Sequence, residues 1–395
     1  MSLLKHIFSN NKDCCGCTAC LNIFPVNAIE MVIDEQGFSY PQINYNLCID
    51  CNKCQKICPL QNQPTSINTE FTKPLVFAVK HKLDSIRMKS SSGGMFTALA
   101  NKILNNNGVV YGAAYDKNIK NTYIRVDNEL DLEKLRGSKY VQCEVGDIFK
   151  KLKNDLNAGK NVLFVGTPCY TAALINYIGN KKEHPNLLIV DIICHGVPSQ
   201  KLFSEFISFC EKKNKSKIVN YYHRTKNLGW KHIETQVYEN KKSDSNSALS
   251  QVWRSLFYSN NNLRPSCYDC KFTTTNRPSD ITIGDFWGIE KSLPDFKDDK
   301  GVSLVLINTE KGNNFFDSIK GDIVSKQSSL ENCMQPNLQH PTLDKGSENF
   351  WNDYNKYGFK YIAKKYGGYT IKRRIGKYVL EKTHLLNLIR KVRAK

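Results

Sequence analysis

The middle of the chain, residues 75–310, alternates between two hydrophobic patterns. Short apolar, partly β-branched runs predict strands at residues 76–79, 109–115, 162–165 and 187–193. Apolar residues at helical spacing predict helices at residues 96–104, 148–156 and 171–178. Strands that alternate with helices are typical of a parallel sheet covered by helices. The pattern therefore predicts a mixed α/β body with a largely parallel sheet.

Cysteines dominate residues 1–60. One run has the spacing of bacterial ferredoxins, in which thiolates hold a [4Fe–4S] cluster: Cys48-x2-Cys51-x2-Cys54-x3-Cys58-Pro59. Zinc is the alternative metal for a set of four thiolates. Because the spacing favours iron, we predict an α+β ferredoxin-like domain at the N-terminus.

The first cysteine group departs from this spacing at one position. It reads Cys14-x2-Cys17-x2-Cys20-x3-Phe24-Pro25. In two-cluster ferredoxins the fourth cysteine of each run binds the other cluster. The first cluster is therefore predicted to use Cys14, Cys17, Cys20 and Cys58. The second keeps Cys48, Cys51 and Cys54 but has Phe24 where its fourth ligand belongs. Three thiolates hold a [3Fe–4S] cluster, or a [4Fe–4S] cluster with a non-protein ligand. Cys15 is interpreted as a bystander.

A second cysteine set lies in the body. Cys169 follows the predicted strand 162–165, and Cys194 ends the predicted strand 187–193. Sites in parallel sheets lie at the carboxyl ends of strands, so these thiols converge if the strands are neighbours. Cys267-x2-Cys270 supplies two more thiols. On spacing alone, iron–sulfur and zinc are equally suited, and buried unreactive cysteines are a third option. Three further cysteines show no partner pattern: Cys143, Cys210 and Cys333.

The composition also predicts the cellular compartment of the protein. No apolar run approaches the roughly 20 residues of a membrane-spanning helix, and the N-terminus lacks the apolar region of a secretion signal. We therefore expect a cytoplasmic protein. The chain has 15 cysteines, and in a reducing compartment such cysteines favour metal or redox chemistry over disulfides.

Two glycine- and serine-containing motifs are candidates for anion binding. Ser90-Ser91-Ser92-Gly93-Gly94 precedes a predicted helix, where free backbone N–H groups suit a phosphate, although a serine cap with flexible glycines explains the same pattern. Gly137-Ser138-Lys139-Tyr140 is predicted to precede another helix, and its lysine either neutralises a phosphate or is an ordinary surface cation.

These motifs, taken in order, resemble the coenzyme F-420 hydrogenase/dehydrogenase beta subunit family. The matching stretches are SSSGGMFTALA (90–100), GSKYVQ (137–142), VGTPCYTAAL (165–174), DIICHGVPS (191–199), HRTKNLGW (223–230) and CYDCKFTTTNRPSDITIGDFWG (267–288). With the ferredoxin-like segment, the resemblance covers residues 10–345. A fused N-terminal ferredoxin is known in this family, and similar bacterial chains accompany surface polysaccharide synthesis. The departure at Phe24 puts the second ferredoxin cluster in doubt.

The resemblance implies cofactors and their positions. It implies FAD close to Ser92, Gly93, Gly94, Gly137, Ser138, Lys139 and Tyr140. It also implies a [4Fe–4S] cluster held by Cys169, Cys194, Cys267 and Cys270, which favours iron over zinc. Clusters exchange single electrons and a hydride carries two, so a flavin is the natural converter between them.

Several other polar residues are candidates for the site. His195 could donate a proton or hydrogen-bond a cluster sulfur, or serve only as a structural histidine. His223, Arg224 and Lys226 could bind an anionic substrate or the FAD phosphates, and a solvated charged face is the preferred alternative. In GDFWG, Asp285, Trp287 and Gly288 are expected to shape the site or a turn.

The sequence thus predicts an iron–sulfur flavoprotein oxidoreductase with two or three clusters and FAD. The expected domains are a ferredoxin-like domain (1–62), a linker (63–74), a flavin- and cluster-binding body (75–345) and a basic tail (346–395). The expected partners are a small-molecule hydride or electron acceptor, deazaflavin-like or of another kind, and a redox protein or ferredoxin. The alternatives are an electron-transfer subunit without its own substrate and a zinc-bearing scaffold.

The C-terminus carries much of the net charge of +19. Residues 360–395 hold 12 Lys and Arg against one acid, Glu381. Leu380, Leu385, Leu386, Ile389 and Val392 suggest an amphipathic stretch, which predicts either peripheral contact with an anionic membrane or a helix packed on the body. No nucleic-acid recognition motif is present, so no nucleic-acid partner is expected.

Overall fold

The computed structural model describes residues 7–23, 28–64, 71, 73–227, 229–245 and 247–382. Its strands are β1 (Ile29–Ile33), β2 (Ser39–Ile43), β3 (Leu75–His81), β4 (Val109–Tyr115), β5 (Asn121–Val126), β6 (Val162–Gly166), β7 (Leu187–Ile192), β8 (Ile218–Tyr222), β9 (Thr235–Tyr238), β10 (Ser243–Asp244), β11 (Ile281–Asp285), β12 (Ser303–Ile307) and β13 (Ile323–Ser328). Its α-helices are α1 (Ala19–Ile23), α2 (Lys53–Ile57), α3 (Asp84–Lys89), α4 (Met95–Asn105), α5 (Glu129–Leu135), α6 (Ile148–Asn157), α7 (Pro168–Ile178), α8 (Gln200–Asn214), α9 (Val252–Tyr258), α10 (Ile289–Ser292), α11 (Glu310–Ser318), α12 (Leu330–Cys333), α13 (Ser347–Lys365) and α14 (Ile371–Lys382).

Eight strands form the large central sheet, in the order β13-β3-β12-β11-β7-β6-β4-β5. The neighbours β11, β7, β6 and β4 run parallel, whereas the remaining pairs are antiparallel. The prediction of a mixed α/β body is therefore confirmed, and the parallel part of its sheet comprises these four strands. They include three of the strands expected from the hydrophobic pattern.

Helices cover both faces of this sheet. Successive side chains of a strand point to opposite faces, so a buried strand is apolar at every position. In β6, Val162 and Phe164 pack with α6 and α7, whereas Leu163 packs with α4 and α11 on the other face. This two-sided burial explains why β6 and β7 appear in the sequence as continuous apolar runs.

The N-terminal cysteine segment packs against the body. Its β1 and β2 form an antiparallel pair, and its short helices α1 and α2 lie against each other and against α7. Side-chain hydrogen bonds hold it there: for example, Asn22 donates to the Gly146 carbonyl oxygen, and Asn176 donates to the Ile57 carbonyl oxygen. Residues 24–27 lie outside the described part, so the prediction on Phe24 stays a prediction.

Residues 346–365 are not part of a solvated tail. The aromatic residues Phe350, Trp351 and Tyr354 of α13 are buried in one cluster with α8 and α9. The segment predicted as a basic tail therefore begins with a helix that completes the core of the body. Leu385, Leu386, Ile389 and Val392 lie outside the described residues, and the side chain of Leu380 is not described either. None of the described helices has both the length and the apolarity that crossing a membrane requires.

Candidate functional site

A cavity of about 320 Å³ opens at the carboxyl ends of the parallel strands. Its walls include Gly112 of β4, Val165 of β6, Ile192 of β7 and Asp285 of β11. Ligands of open α/β sheets bind at this edge, and the volume falls within the roughly 300–1,000 Å³ of small-molecule sites. Tertiary structure therefore puts a ligand-sized space where the sequence predicted a site.

The two glycine- and serine-containing motifs meet at this cavity. Ser138 donates its backbone N–H to Ser91 Oγ over 2.8 Å, and the two hydroxyl oxygens lie 3.0 Å apart. Six of the seven residues implied to lie near FAD line the cavity: Ser92, Gly94, Gly137, Ser138, Lys139 and Tyr140. Motifs that are 47 residues apart in sequence thus form one wall.

The glycine pair precedes α4, as predicted, but its two members serve the fold. Gly94 caps the helix with φ of +94°, and a Cβ there would lie 2.9 Å from His81 Cβ. The N–H of Gly93 donates to Ser303 Oγ over 2.9 Å. Because this amide already has a partner, only the neighbourhood of Gly94 is open to a phosphate.

The second motif does not open a helix. It follows the C-terminus of α5, and α6 begins only at Ile148. Lys139 Nζ donates to the carbonyl oxygens of Lys134, Leu135 and Arg136, each over 3.0 Å. A lysine has three donors, so Lys139 caps α5 and has none left for a phosphate. Burial lowers the pKa of Lys139 to about 7.

Arg136 is a cavity cation that the sequence reasoning missed. It lines the cavity, and its Nε donates to Thr97 Oγ1 over 3.2 Å. Within the described residues, the remaining donors of its guanidinium have no hydrogen-bond partner in the protein. No local motif marks this arginine, because its place at the cavity depends on where α5 ends.

The four body cysteines come together at one end of the cavity. Cys169 lies in the first turn of α7, Cys194 follows β7, and the other pair lies around a short 3₁₀-helix: Cys267 and Cys270. Because β6 and β7 are neighbours, Cys169 and Cys194 meet as expected. Burial, together with repulsion from Cys169 and Cys270, raises the pKa of Cys194 to about 12. Burial and repulsion from Cys169 raise the pKa of Cys270 to about 11. All four cysteines line the same cavity, which is the geometric reason for these mutual effects.

Cys20 and Cys54 show which thiols lie near one another in the N-terminal segment. Burial and repulsion from Cys14, Cys58 and, to a smaller extent, Cys54 raise the pKa of Cys20. Likewise, burial and repulsion from Cys51 and Cys48 raise the pKa of Cys54. Cys58 therefore lies near Cys14 and Cys20, although it follows Cys54 in sequence. This proximity is what the predicted ligand set of the first cluster requires, and that ligand set stays a prediction.

Cys15, interpreted from the sequence as a bystander, contacts cysteines of both the N-terminal segment and the body. A hydrogen bond with the Cys15 thiol is the largest influence that raises the pKa of Cys169. Cys15 also lines the cavity and interacts with Cys17. It therefore stands between the N-terminal cysteines and the body cysteines.

In the described ranges, no three His, Cys, Asp or Glu side chains are arranged to hold a single metal ion. The three cysteines that show no partner pattern are buried. Cys143, Cys210 and Cys333 are 9%, 0% and 0% exposed. Cys143 is at the cavity wall, where its carbonyl oxygen accepts from Tyr170 Oη. Cys210 and Cys333 belong to the hydrophobic core.

His195 lines the cavity, but both its ring and its backbone carbonyl group are hydrogen-bonded within the protein. Its Nε2 bonds to Asn260 Oδ1 over 2.9 Å, and its carbonyl oxygen accepts from Thr342 Oγ1. Burial lowers the pKa of His195, which keeps the ring neutral near pH 7. These contacts favour a structural role in holding the loop after Cys194.

The expectation of a solvated face at His223, Arg224 and Lys226 is wrong. They are 1%, 9% and 5% exposed. Lys226 Nζ donates to three carbonyl oxygens, including that of Ser92, and Arg224 pairs with Asp285 over 2.7 Å. Arg224 and Lys226 donate to the carbonyl oxygens of Ser91 and Ser92 and hold the serine-rich loop, so their charged groups are not free to bind an anion.

Two family models match the chain over more than half of its length. The coenzyme F420 hydrogenase/dehydrogenase beta subunit N-terminal model matches residues 76–150, and the C-terminal model of the same beta subunit matches residues 159–332. The chain belongs to this family. The matched residues contain most of the cavity wall, both glycine- and serine-containing motifs and all four body cysteines. Membership of this beta subunit family implies an oxidoreductase or electron-transfer role.

Solved structures that are similar to this beta subunit family member include a chain of the F420-reducing [NiFe] hydrogenase complex from Methanosarcina barkeri. The two chains are 18% identical, with a TM-score of 0.46, and the match covers 74% of this chain and 90% of the other. Among proteins with curated functions, none matches this chain.

Proposed function

We propose that this beta subunit family member is an iron–sulfur flavoprotein oxidoreductase that passes electrons between [4Fe–4S] clusters, FAD and a hydride or electron acceptor. One observation carries the proposal: four cysteine thiols and two glycine- and serine-containing loops line the same cavity. Redox centres must lie close together to exchange electrons, and here the residues suited to each centre share one space.

The cysteines fit iron–sulfur clusters by the chemistry of their donors. Thiolates are the ligands of such clusters, and each candidate group consists of buried or half-buried thiols. The body cluster would be held by Cys169, Cys194, Cys267 and Cys270. The N-terminal clusters would be held by Cys14, Cys17, Cys20 and Cys58, and by Cys48, Cys51 and Cys54.

The other end of the cavity fits a flavin nucleotide. Gly137 has φ of +80° and leaves open space, with no atom within 4 Å of where a Cβ would be. Gly94 opens α4, an 11-residue helix whose N-terminus favours negative charge. We assign Arg136 to the FAD phosphates, because Lys139 and Lys226 are occupied by carbonyl oxygens.

When bound, the clusters supply one-electron transfer and the flavin supplies conversion between one and two electrons. The protein's own residues hold and shield these centres. Arg224 and Lys226 fix the serine-rich loop, Ser91 joins it to the second loop, and His195 holds the segment after Cys194. The acceptor, whether a deazaflavin or another small molecule, would enter through the open mouth of the cavity.

The proposed organisation keeps the predicted units. Residues 1–62 would be the two-cluster ferredoxin-like domain, 63–74 the linker, and the body from residue 75 the unit that binds FAD and one cluster. The body would extend beyond residue 345, because α13 completes its core. A role in surface polysaccharide synthesis and peripheral membrane contact through the C-terminal segment stay predictions.

Iron and flavin quantification of anaerobically purified protein tests the proposal. We expect Cys194→Ser to lose about four iron atoms per chain relative to wild type, together with the visible absorbance of one cluster. Cys210→Ser, a buried cysteine of α8, is the matched control and should keep all iron. A colourless wild type with zinc and no flavin would support the scaffold alternative and overturn the proposal. Wild-type protein that carries all cofactors yet reduces small acceptors only with a second chain would indicate an electron-transfer subunit.

A further inference from the structure

Arg264 is a fully buried arginine at the junction of the N-terminal segment and the body. It is 0% exposed, and it precedes the body ligand Cys267 by three residues. Its Nε donates to the Cys14 carbonyl oxygen over 2.7 Å, and its Nη2 lies 3.4 Å from Cys14 Sγ. The guanidinium thus reaches the first N-terminal cysteine group from the body.

The surroundings of Arg264 hold its guanidinium in place. It donates to Gln142 Oε1 over 3.0 Å and to the Ser39 carbonyl oxygen over 2.9 Å, and it lies 4.3 Å from the Tyr40 ring. Gly16 permits this approach, because a Cβ there would lie 2.9 Å from Arg264 Nη1. The arginine is therefore inserted between the Cys14 loop and β2.

This arginine differs from the other buried arginines in its lack of an acidic partner. Arg87 pairs with Asp298, Arg224 with Asp285, and Arg277 with Asp191, at 2.6–3.2 Å. Among the side chains that the structure describes, no carboxylate lies within ion-pair distance of Arg264. A buried charge is costly unless an opposite charge or a dense set of hydrogen bonds compensates it. The remaining candidate for an opposite charge is the thiolate group that begins with Cys14.

We propose that Arg264 is the counter-ion of the iron–sulfur centre at Cys14, Cys17, Cys20 and Cys58, and that its contact with Cys14 Sγ raises the reduction potential of that centre. The proposal rests on the proposed function, since it requires a cluster at these cysteines. Hydrogen bonds to the cysteine sulfurs and nearby charge are among the factors that set cluster potentials. Arg264 is a positioning residue, because it acts through Cys14.

The direction of the effect follows from charge. Reduction of the centre adds one electron and makes or breaks no bond, and in the protein the electron would come from the neighbouring centre at Cys48, Cys51 and Cys54. The reduced form is more negative by one charge, so a cation fixed beside it stabilises that form. A higher potential at the first centre favours electron transfer to it from the centre at Cys48, Cys51 and Cys54, and makes the first centre a weaker donor to the body.

A redox titration followed by electron paramagnetic resonance tests this on the full chain, purified anaerobically. We expect Arg264→Met to lower the midpoint potential of one N-terminal signal, and Arg264→Lys to lower it less, because lysine keeps the charge but cannot reach Cys14 and Gln142 together. Arg277→Lys is the matched control: Arg277 is buried near Cys194 and Cys270 and paired with Asp191. It should leave the N-terminal signals unchanged.

The outcomes separate this proposal from the proposed function. A wild type without iron signals would overturn both. Wild-type signals with an unchanged midpoint potential in folded Arg264→Met would overturn the counter-ion role alone. If Arg264→Met does not fold, Arg264→Lys decides, because a potential equal to that of wild type would show that the Cys14 contact does not act on the centre.

Discussion

The backbone N–H of Ser138 donates to Ser91 Oγ over 2.8 Å, and this contact joins the two loops that wall the cavity. Removing the hydroxyl leaves the Ser138 amide without its acceptor, at a cost of about 1 kcal/mol. If the joined loops pre-organise the flavin site, Ser91→Ala should weaken FAD affinity by about fivefold, as measured by fluorescence titration of protein stripped of flavin.

Ser279→Ala is the control for this change. Its hydroxyl is buried and donates to the Ile281 carbonyl oxygen, but Ser279 does not line the cavity. It should lower thermal stability by a similar amount and leave FAD affinity unchanged. Equal affinity losses in the two variants would show that the serine acts only through general stability.

Gly137 is a sharper probe of the flavin site than Gly94, where an added Cβ would also lie only 2.9 Å from His81 Cβ. Gly137 and Gly159 both have positive φ, +80° and +75°, with open space where a Cβ would be, but only Gly137 lines the cavity. A non-glycine residue costs about 1–2 kcal/mol in this conformation. Gly137→Leu and Gly159→Leu should therefore lose similar stability in urea unfolding.

The two leucine variants should differ in flavin content. The added side chain at residue 137 occupies cavity space, so we expect at least a tenfold loss of FAD affinity there and none at residue 159. Full flavin occupancy in purified Gly137→Leu would show that the flavin binds at another place in the protein.

Glu234 makes the free energy of unfolding of the protein depend on pH. It is fully buried beside His223 Nδ1 at 3.1 Å, and burial raises the pKa of Glu234 to about 8. Burial lowers the pKa of His223 well below its usual value, so the pair is neutral at pH 7. Between the unfolded pKa near 4.5 and about 8, the folded state holds a proton that the unfolded state has released. Stability from this group therefore falls as pH rises through that window.

Glu234→Gln removes this titration. From pH 6.5 to 8.5, we expect wild type to lose about 2 kcal/mol relative to the variant in urea unfolding. The comparison must be between the two proteins, because the lowered pKa of Lys139 and that of Lys226 act in the opposite direction. A constant difference between the two unfolding curves across this pH range would mean that Glu234 titrates normally.

We predict that the residue at position 24 determines the iron content of the second N-terminal centre. Phenylalanine offers no donor atom, so we expect about 11 iron atoms per chain if the three-cysteine site settles as [3Fe–4S], and about 12 in Phe24→Cys. The added cysteine should also slow iron loss in air. Cys15→Ser, assayed in parallel, tests whether Cys15 substitutes for the absent ligand. Identical iron content, spectra and air sensitivity of wild type and Phe24→Cys would end this idea.

The sequence determined those features that depend on near neighbours. Spacing within a few residues predicted the cysteine groups, and periodicity predicted the strand at residues 109–115 and the helix at residues 148–156 almost to the residue. This periodicity is a local property, because the buried face of a single strand or helix determines which of its positions are apolar. The family resemblance rests on the same kind of short motifs.

Tertiary structure decided what each polar side chain does. Lys139 looked like a phosphate ligand but caps α5, and Arg224 looked solvated but is buried against Asp285. Arg264 carried no signal at all, because its partner Cys14 is 250 residues away in sequence. The role of a charged side chain is set by which groups desolvate it and which groups neutralise it. Those groups come from distant segments that only the packed sheet and helices bring together.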